Sequence, residues 1–224
     1  MEKFFERIEM PQRRFSKAIR VLKFLNKDKN FKNVDHDLQA AQSLKIEDSF
    51  PMLFEHVSRA NRKVNIIEIG TFKGGLTVII DTYAKFYNLD YTLTTFDIKD
   101  RLIQEETKEI FKECEINFVL ENTLSKSGHE KIKSIIEEDA MCLIFCDGGN
   151  KGKEISDFSK FMKKNDIILG HDYGYDSTSF SKKEWTAFEL SFNGIRDAFH
   201  SNNLTFLLKS EMEESVWFCA EREK

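Results

Sequence analysis

Val64, Ile66, Ile67 and Ile69 form a short apolar, β-branched run, and Gly70, Gly74 and Gly75 follow it. Behind the glycines, Leu76, Ile79, Ile80 and Tyr83 recur at helical spacing. The pattern predicts a strand over 64–69, a glycine turn, and a helix over 75–88. From there the apolar period keeps alternating. Strands are predicted at 91–96 with Asp97 at the end, near 116–120, at 141–146 with Asp147 at the end, at 167–169, near 204–208 and near 215–220. Helices are predicted near 101–114, 127–138, 153–164 and 183–200, the last preceded by a loop at 173–181 rich in Gly, Tyr and Ser.

Residues 1–60 read as helical and precede the sheet. Phe15, Ala18, Ile19, Leu22 and Leu25 share one helical face, the polar run at 26–30 breaks the pattern, and a short helix is expected over 36–44. Pro51 suits the first turn of a further helix carrying Leu53, Phe54 and Val57. This extension either caps a ligand site or forms a packing layer on the sheet.

Strands alternating with helices imply an α/β chain: a Rossmann-like, seven-stranded, mostly parallel sheet with helices on both faces. The last two strands are joined by only a short polar stretch, Ser210 to Glu214, too short for a parallel crossover. They should form an antiparallel hairpin. The organisation expected is an N-terminal helical extension over 1–60 and one domain over 61–224.

Composition narrows the class. The 224 residues suffice for one decorated α/β domain. Phe supplies 21 residues against 2 Trp and 5 Tyr, which allows a dense core with few polar tips to satisfy. Charged residues reach 32 % but sum to only −4, and Lys/Arg interleave with Asp/Glu. No basic stripe argues for nucleic acid. The four cysteines, 114, 142, 146 and 219, form no Cys-x-x-Cys pair, and buried free thiols in a reducing compartment are expected. The first residues lack an apolar stretch of signal-peptide length, and no run approaches the roughly 18 apolar residues of a membrane span. The expectation is a cytoplasmic protein.

The glycine turn sits where an open α/β sheet binds ligands, at the carboxyl edge of a strand, and the N–H groups opening the next helix favour an anion or carboxylate. A dinucleotide fingerprint needs Gly-x-Gly-x-x-Gly, and Phe72 breaks it. What stands here is Glu68-Ile-Gly70-Thr71-Phe72-Lys-Gly74. This resembles the first motif of the class I S-adenosylmethionine-dependent methyltransferases. The seven-strand order with a reversed terminal hairpin is similar to the same class. The resemblance implies that S-adenosylmethionine meets Glu68, Gly70, Thr71, Phe72 and Gly74 with its amino-acid end, and Asn122 and Thr123 on its adenine side. Asp97 at the tip of the second strand can accept both hydroxyls of an adenosine ribose. A role as cap of the following helix is the alternative.

Asp147 and Asp172 follow neighbouring strands at the same edge. Two carboxylates held close repel unless they share a cation or a proton, and oxygen ligands favour a hard ion such as Mg²⁺. His171 stands beside them as a candidate base or ligand. Residues 141–173 resemble the metal-dependent small-molecule O-methyltransferases, the group of macrocin-type sugar methyltransferases and, more distantly, catechol O-methyltransferase. That resemblance implies a metal set of Asp147, His171 and Asp172, and Asp147 near the cofactor. The sequence departs from the pattern at Gly149, Asn150 and His171. His171 or Lys151 would take the acceptor's proton. Lys151 also reads as a solvated turn residue, since Lys153 and Lys160 follow closely.

The reaction implied is transfer of a methyl group from S-adenosylmethionine to a hydroxyl of a small molecule, a sugar or an aromatic, assisted by a divalent cation. Tyr173, Tyr175, Phe180 and Trp185 offer aromatic surface to such an acceptor. The alternative is another nucleotide-binding Rossmann-like protein, or a non-catalytic one. Expected partners are a small-molecule acceptor and a second copy in a homo-oligomer, with neither nucleic acid nor membrane.

Overall fold

The computed structural model describes residues 46–102, 105–175 and 190–224. The helices expected within 1–45 lie outside these residues, as do Phe180 and Trp185. The described elements are α1 (Ile46–Arg59), β1 (Val64–Ile69), α2 (Gly75–Phe86), β2 (Tyr91–Asp97), α3 (Glu105–Glu113), β3 (Asn117–Leu120), α4 (Lys126–Ile136), β4 (Met141–Cys146), α5 (Lys151–Phe158), β5 (Ile167–Gly170), β6 (Tyr173–Gly174), β7 (Leu190–Ser191), α6 (Phe192–Ser201), β8 (Leu204–Phe206), α7 (Lys209–Glu214) and β9 (Phe218–Arg222).

Seven strands form one sheet in the order β3-β2-β1-β4-β5-β9-β8. β1 pairs in parallel with both β2 and β4, and the parallel run continues to β3 and β5. β9 runs antiparallel to both neighbours, β5 and β8. The order reverses between β1 and β4, and a ligand crevice forms at such a switch point, outside the carboxyl ends of the strands.

The sheet is covered on both faces, which is why its central strands are buried along their whole length. Side-chain alternation divides the core in two. Ile66, Leu143, Phe145, Leu169 and Trp217 face α1 and α2. Ile67, Ile144, Cys146, Ile168 and Phe218 face α4, α5 and α6. Within the first layer, Phe50 lies 5.7–6.3 Å, centroid to centroid, from Phe54, Tyr83, Phe145 and Trp217. The part of the N-terminal region described here therefore packs on the sheet. Cys142, Cys146 and Cys219 are buried and Cys114 is half-buried, all as free thiols.

Several boundaries differ from the sequence expectation. Pro51 falls inside α1 rather than in its first turn. The helix expected over 153–164 ends at Phe158. The helix expected from 183 contains, within its described part, a strand at Leu190–Ser191, and α6 starts at Phe192. Ser191 caps that helix by accepting a hydrogen bond from Gly194 N. Strand β7 pairs with β6, giving a two-stranded ladder that apolar periodicity does not announce. The terminal strands are antiparallel as expected, but their connection folds into α7, entered through Leu208 in a left-handed conformation. The last strand accordingly starts at Phe218 rather than 215.

Candidate active site at the carboxyl edge of the sheet

Each parallel strand delivers one chemical group to the crevice. β1 ends in Gly70, whose φ of +99° lies in the left-handed region that favours glycine. Gly70 N donates to Phe96 O of β2 at 2.8 Å, and Asp147 N donates to Ile69 O at 2.9 Å. The tips of β1, β2 and β4 are thereby laced together. A cavity of about 620 Å³ opens above them, lined by Gly70, Phe72, Asp97, Asn122, Thr123 and Asp147 among others.

Asp97 accepts from Phe72 N at 2.8 Å on one oxygen and from Lys99 N at 2.9 Å on the other. It therefore fixes the glycine turn and its own loop. A carboxylate oxygen has more than one acceptor site, so both oxygens keep capacity toward the cavity. Phe72 sits at φ +48°, an uncommon conformation outside glycine, and the Arg101 guanidinium lies 5.1 Å from its ring centroid. Arg101 also lines the cavity, and no sequence motif singles it out.

Three predicted cofactor residues serve the loop from below. Glu68 is fully buried and does not line the cavity; its carboxylate accepts from Thr77 Oγ1 at 2.5 Å and from Thr95 Oγ1. The Thr71 hydroxyl lies 2.6 Å from that of Thr95. Gly74 caps α2 in a left-handed conformation, and its N–H donates to Thr71 O at 2.8 Å. These residues shape the turn around a buried carboxylate held by hydroxyl donors, as a buried charge requires.

The second half of the site lies over β4 and β5. Asp147, His171 and Asp172 bring three potential ligand atoms within 4.8 Å of one another. His171 Nδ1 is 3.2 Å from Asp147 Oδ1 and 3.7 Å from Asp172 Oδ1. The ring stacks on Trp217 at 4.6 Å between centroids, and Nε2 has no hydrogen-bond partner. Burial pulls the His171 pKa down, but the charge and hydrogen bond of Asp147, with the charge of Asp172, outweigh it and raise the pKa above the usual histidine range. Asp172 is held at φ +55°, with Leu190 N donating to its carbonyl at 3.2 Å.

Lys151 is not the solvated turn residue that its lysine-rich surroundings suggest. It is 4 % exposed, and its Nζ lies 3.1 Å from Asp172 Oδ2 and 3.5 Å from Asp147 Oδ1. The two carboxylates that would bind a metal are thus already bridged by an ammonium. With Lys151 in place, the set does not fit a divalent ion, because the two cations would compete for the same oxygens at close range.

Glu154, like Arg101, is a cavity residue that sequence reasoning missed. It is buried, and it accepts from Gly148 N at 3.3 Å and Asn150 N at 3.4 Å, while Asn150 Oδ1 accepts from Lys153 N at 3.1 Å. This reciprocal pattern is close to a capping box and fixes the turn after β4. Burial pushes the Glu154 carboxyl up to about 7, against the lowering effect of those amides and Lys151. The Asn-x-x-x-Glu spacing at the start of α5 was the available signal. Of the aromatic residues expected to face an acceptor, Tyr173 is buried against Phe218, and Tyr175 stacks on Phe192 with Lys209 over its ring. Neither is among the cavity-lining residues.

No family model and no curated protein matches the sequence. Solved structures do match in three dimensions. An O-methyltransferase family protein from Burkholderia thailandensis is similar at a TM-score of 0.52 and 8 % identity, over 95 % of this chain and 70 % of that one. A protein from Staphylococcus aureus named for caffeoyl-CoA O-methyltransferase gives 0.52 and 14 %, over 92 % and 98 %. The structure named "cmcI-D160 Mg-SAM" gives 0.52 and 10 %, over 83 % and 72 %. The fold is that of the class I methyltransferases. The chain has the strand order given above, a crevice at its switch point and Asp97 at the tip of β2. Among the described residues no helix is long and apolar enough to cross a membrane.

Proposed function

We propose that the chain is an S-adenosylmethionine-dependent methyltransferase acting on a hydroxyl of a small molecule, a sugar or an aromatic. The observation that carries this reading is the single cavity shared by Asp97 with the glycine turn on one side and Asp147, Lys151 and Asp172 on the other. The first group suits a nucleoside with a charged amino-acid tail; the second suits a hydroxyl that must lose a proton.

The residues that would hold the cofactor are Asp97, Gly70, Phe72, Asn122 and Thr123, with Asp147 at the boundary between the two halves. When bound, the cofactor supplies a methyl group activated by a sulfonium. The chain's own task is orientation, which can supply on the order of 7–11 kcal/mol of the barrier at best. A cofactor held there would give its methyl carbon to the acceptor oxygen, the electron pair of the broken carbon–sulfur bond staying on sulfur. The acceptor's proton passes to the hydrogen-bonded Asp147–His171 pair, while Lys151 stabilises the charge developing on the acceptor oxygen.

Assistance by a divalent cation is the second reading. Asp147, His171 and Asp172 would hold it, and a Mg²⁺-class ion would supply Lewis-acid polarisation of the acceptor oxygen. The clustered donors and the neighbour named for Mg and SAM favour it. It requires Lys151 to leave both carboxylates.

Titration calorimetry with S-adenosylhomocysteine tests the core of the proposal. Micromolar binding supports it and opens a screen of hydroxylated sugars and catechols with a labelled methyl donor. Absence of binding, with and without Mg²⁺, overturns it. The same reading takes the protein as cytoplasmic and without a nucleic-acid or membrane partner; sizing by light scattering addresses self-association.

A further inference from the structure

We propose that Lys151 is a built-in cation which takes the place of a divalent metal between Asp147 and Asp172, so that this site works without metal. The inference rests on the methyltransferase reading for its meaning, but not for its test.

Three observations carry it. First, the ammonium contacts both carboxylates at once, 3.1 Å from Asp172 Oδ2 and 3.5 Å from Asp147 Oδ1, in a side chain that is almost wholly buried. A buried ammonium needs such partners, and two carboxylates at close range need a cation; each supplies what the other lacks. Second, Lys151 opens α5, immediately after the Asn150 cap. The first turn of a helix disfavours a positive charge, so the helix alone gives no reason for a lysine there; the carboxylates do. Third, little negative charge is left for a metal. Asp147 and Asp172 carry two negative charges and Lys151 returns one. A divalent ion added to this set would leave an excess of positive charge in a buried pocket.

The cation is tethered by a flexible stem, so it can follow the acceptor oxygen as charge develops, whereas a metal would need coordinating groups on every side. Gly149, beside the cap, has nothing within 4 Å of where a side chain would start, and Asn150 is occupied with Lys153 N. Neither adds a ligand to the cluster.

The test is direct binding of Mn²⁺, followed by electron paramagnetic resonance of the free ion, to wild type, Lys151→Met and the double variant Lys151→Met/Asp172→Asn. The expected result is no saturable binding by wild type, and a site in Lys151→Met tighter by on the order of a hundredfold or more, given the unit charge removed from about 4 Å. The second substitution abolishes it. Addition of EDTA leaves the affinity of wild type for S-adenosylhomocysteine unchanged. Should Lys151→Met fail to fold, Lys151→Gln and refolding in Mn²⁺ replace it, with recovery of the folded state by Mn²⁺ expected. Equal or weaker Mn²⁺ binding in the variant than in wild type overturns the proposal, and so does the absence of binding in both. Loss of S-adenosylhomocysteine binding by wild type itself overturns the methyltransferase reading instead, and the Mn²⁺ result still decides the role of Lys151.

Discussion

Gly70 and Asp147 touch through their backbones: a Cβ placed on Gly70 would lie 2.3 Å from the Asp147 carbonyl oxygen and 2.7 Å from its carbon. The tip of β1 therefore approaches the tip of β4 more closely than any other residue type permits. Gly70→Ala has to overcome both this clash and an unfavourable φ of +99°, the latter alone costing about 1–3 kcal/mol. The expected outcome is loss of at least that much stability in urea unfolding, together with S-adenosylhomocysteine binding weakened beyond ~10-fold, since the crevice floor must shift. Unchanged stability would show that the loop relaxes freely, contrary to the lacing of three strand tips described above.

Asp97 joins the glycine turn to the cavity. Its two oxygens accept from Phe72 N and Lys99 N, so its removal affects both the loop and the ligand. Asp97→Asn keeps one oxygen acceptor but loses the charge; Asp97→Ala loses everything. Calorimetry is expected to show weaker S-adenosylhomocysteine binding in both, with Ala the more severe. A loss of about 1.5–3 kcal/mol, typical of a hydrogen bond to a charged group, corresponds to roughly 10- to 150-fold. Equal affinity in all three proteins would remove Asp97 from the ribose role and leave it as a loop fastener.

The sheet could be read from the chain because its central strands are buried on both faces, and such strands appear as compact apolar runs followed by Gly or Asp. Val64–Ile69 and Met141–Cys146 are the clearest, and both match the observed strands. The antiparallel ending followed from connection length alone. Other features depended on tertiary closeness that no local pattern encodes. Lys151 resembles Lys153 in sequence, yet Lys151 turns inward because Asp172 arrives from the next strand, while Lys153 pairs with Asp157 on the outer surface. Glu68 stands in the expected motif, but the hydroxyls of Thr77 and Thr95 draw its carboxylate beneath the loop. Ladder β6–β7 has two residues per strand, too few for a period. Trp217 gave no functional signal, and it is the surface on which His171 stacks.

Phe50 tests the role of α1. The side chain is fully buried, and its aromatic neighbours come from α1, α2, β4 and the residue before β9, Trp217, which in turn supports His171. Phe50→Ala leaves a cavity in this layer and is expected to lower the unfolding free energy by about 3–5 kcal/mol. Because Phe50 does not line the crevice, S-adenosylhomocysteine affinity of the folded protein should change far less than its stability does. A large loss of affinity with little loss of stability would instead make α1 part of the ligand cap.

Glu154 gives the protein a pH-dependent stability with a definite sign. Its carboxyl is raised from 4.5 to about 7 in the folded state, chiefly by burial. The folded state therefore holds the proton more tightly than the unfolded state does. The associated stability is fully present below pH 4.5 and is lost as the pH rises through about 7. A shift of that size corresponds to about 3 kcal/mol at most. Glu154→Gln mimics the protonated form and keeps an oxygen for one of the two amides of the β4–α5 turn. In urea titrations across this range, wild type is expected to lose stability relative to Glu154→Gln as pH rises, and the variant to become the more stable protein at alkaline pH. Two curves that run parallel through this window would mean that Glu154 remains ionised in the folded state, held by the Gly148 and Asn150 amides and by Lys151.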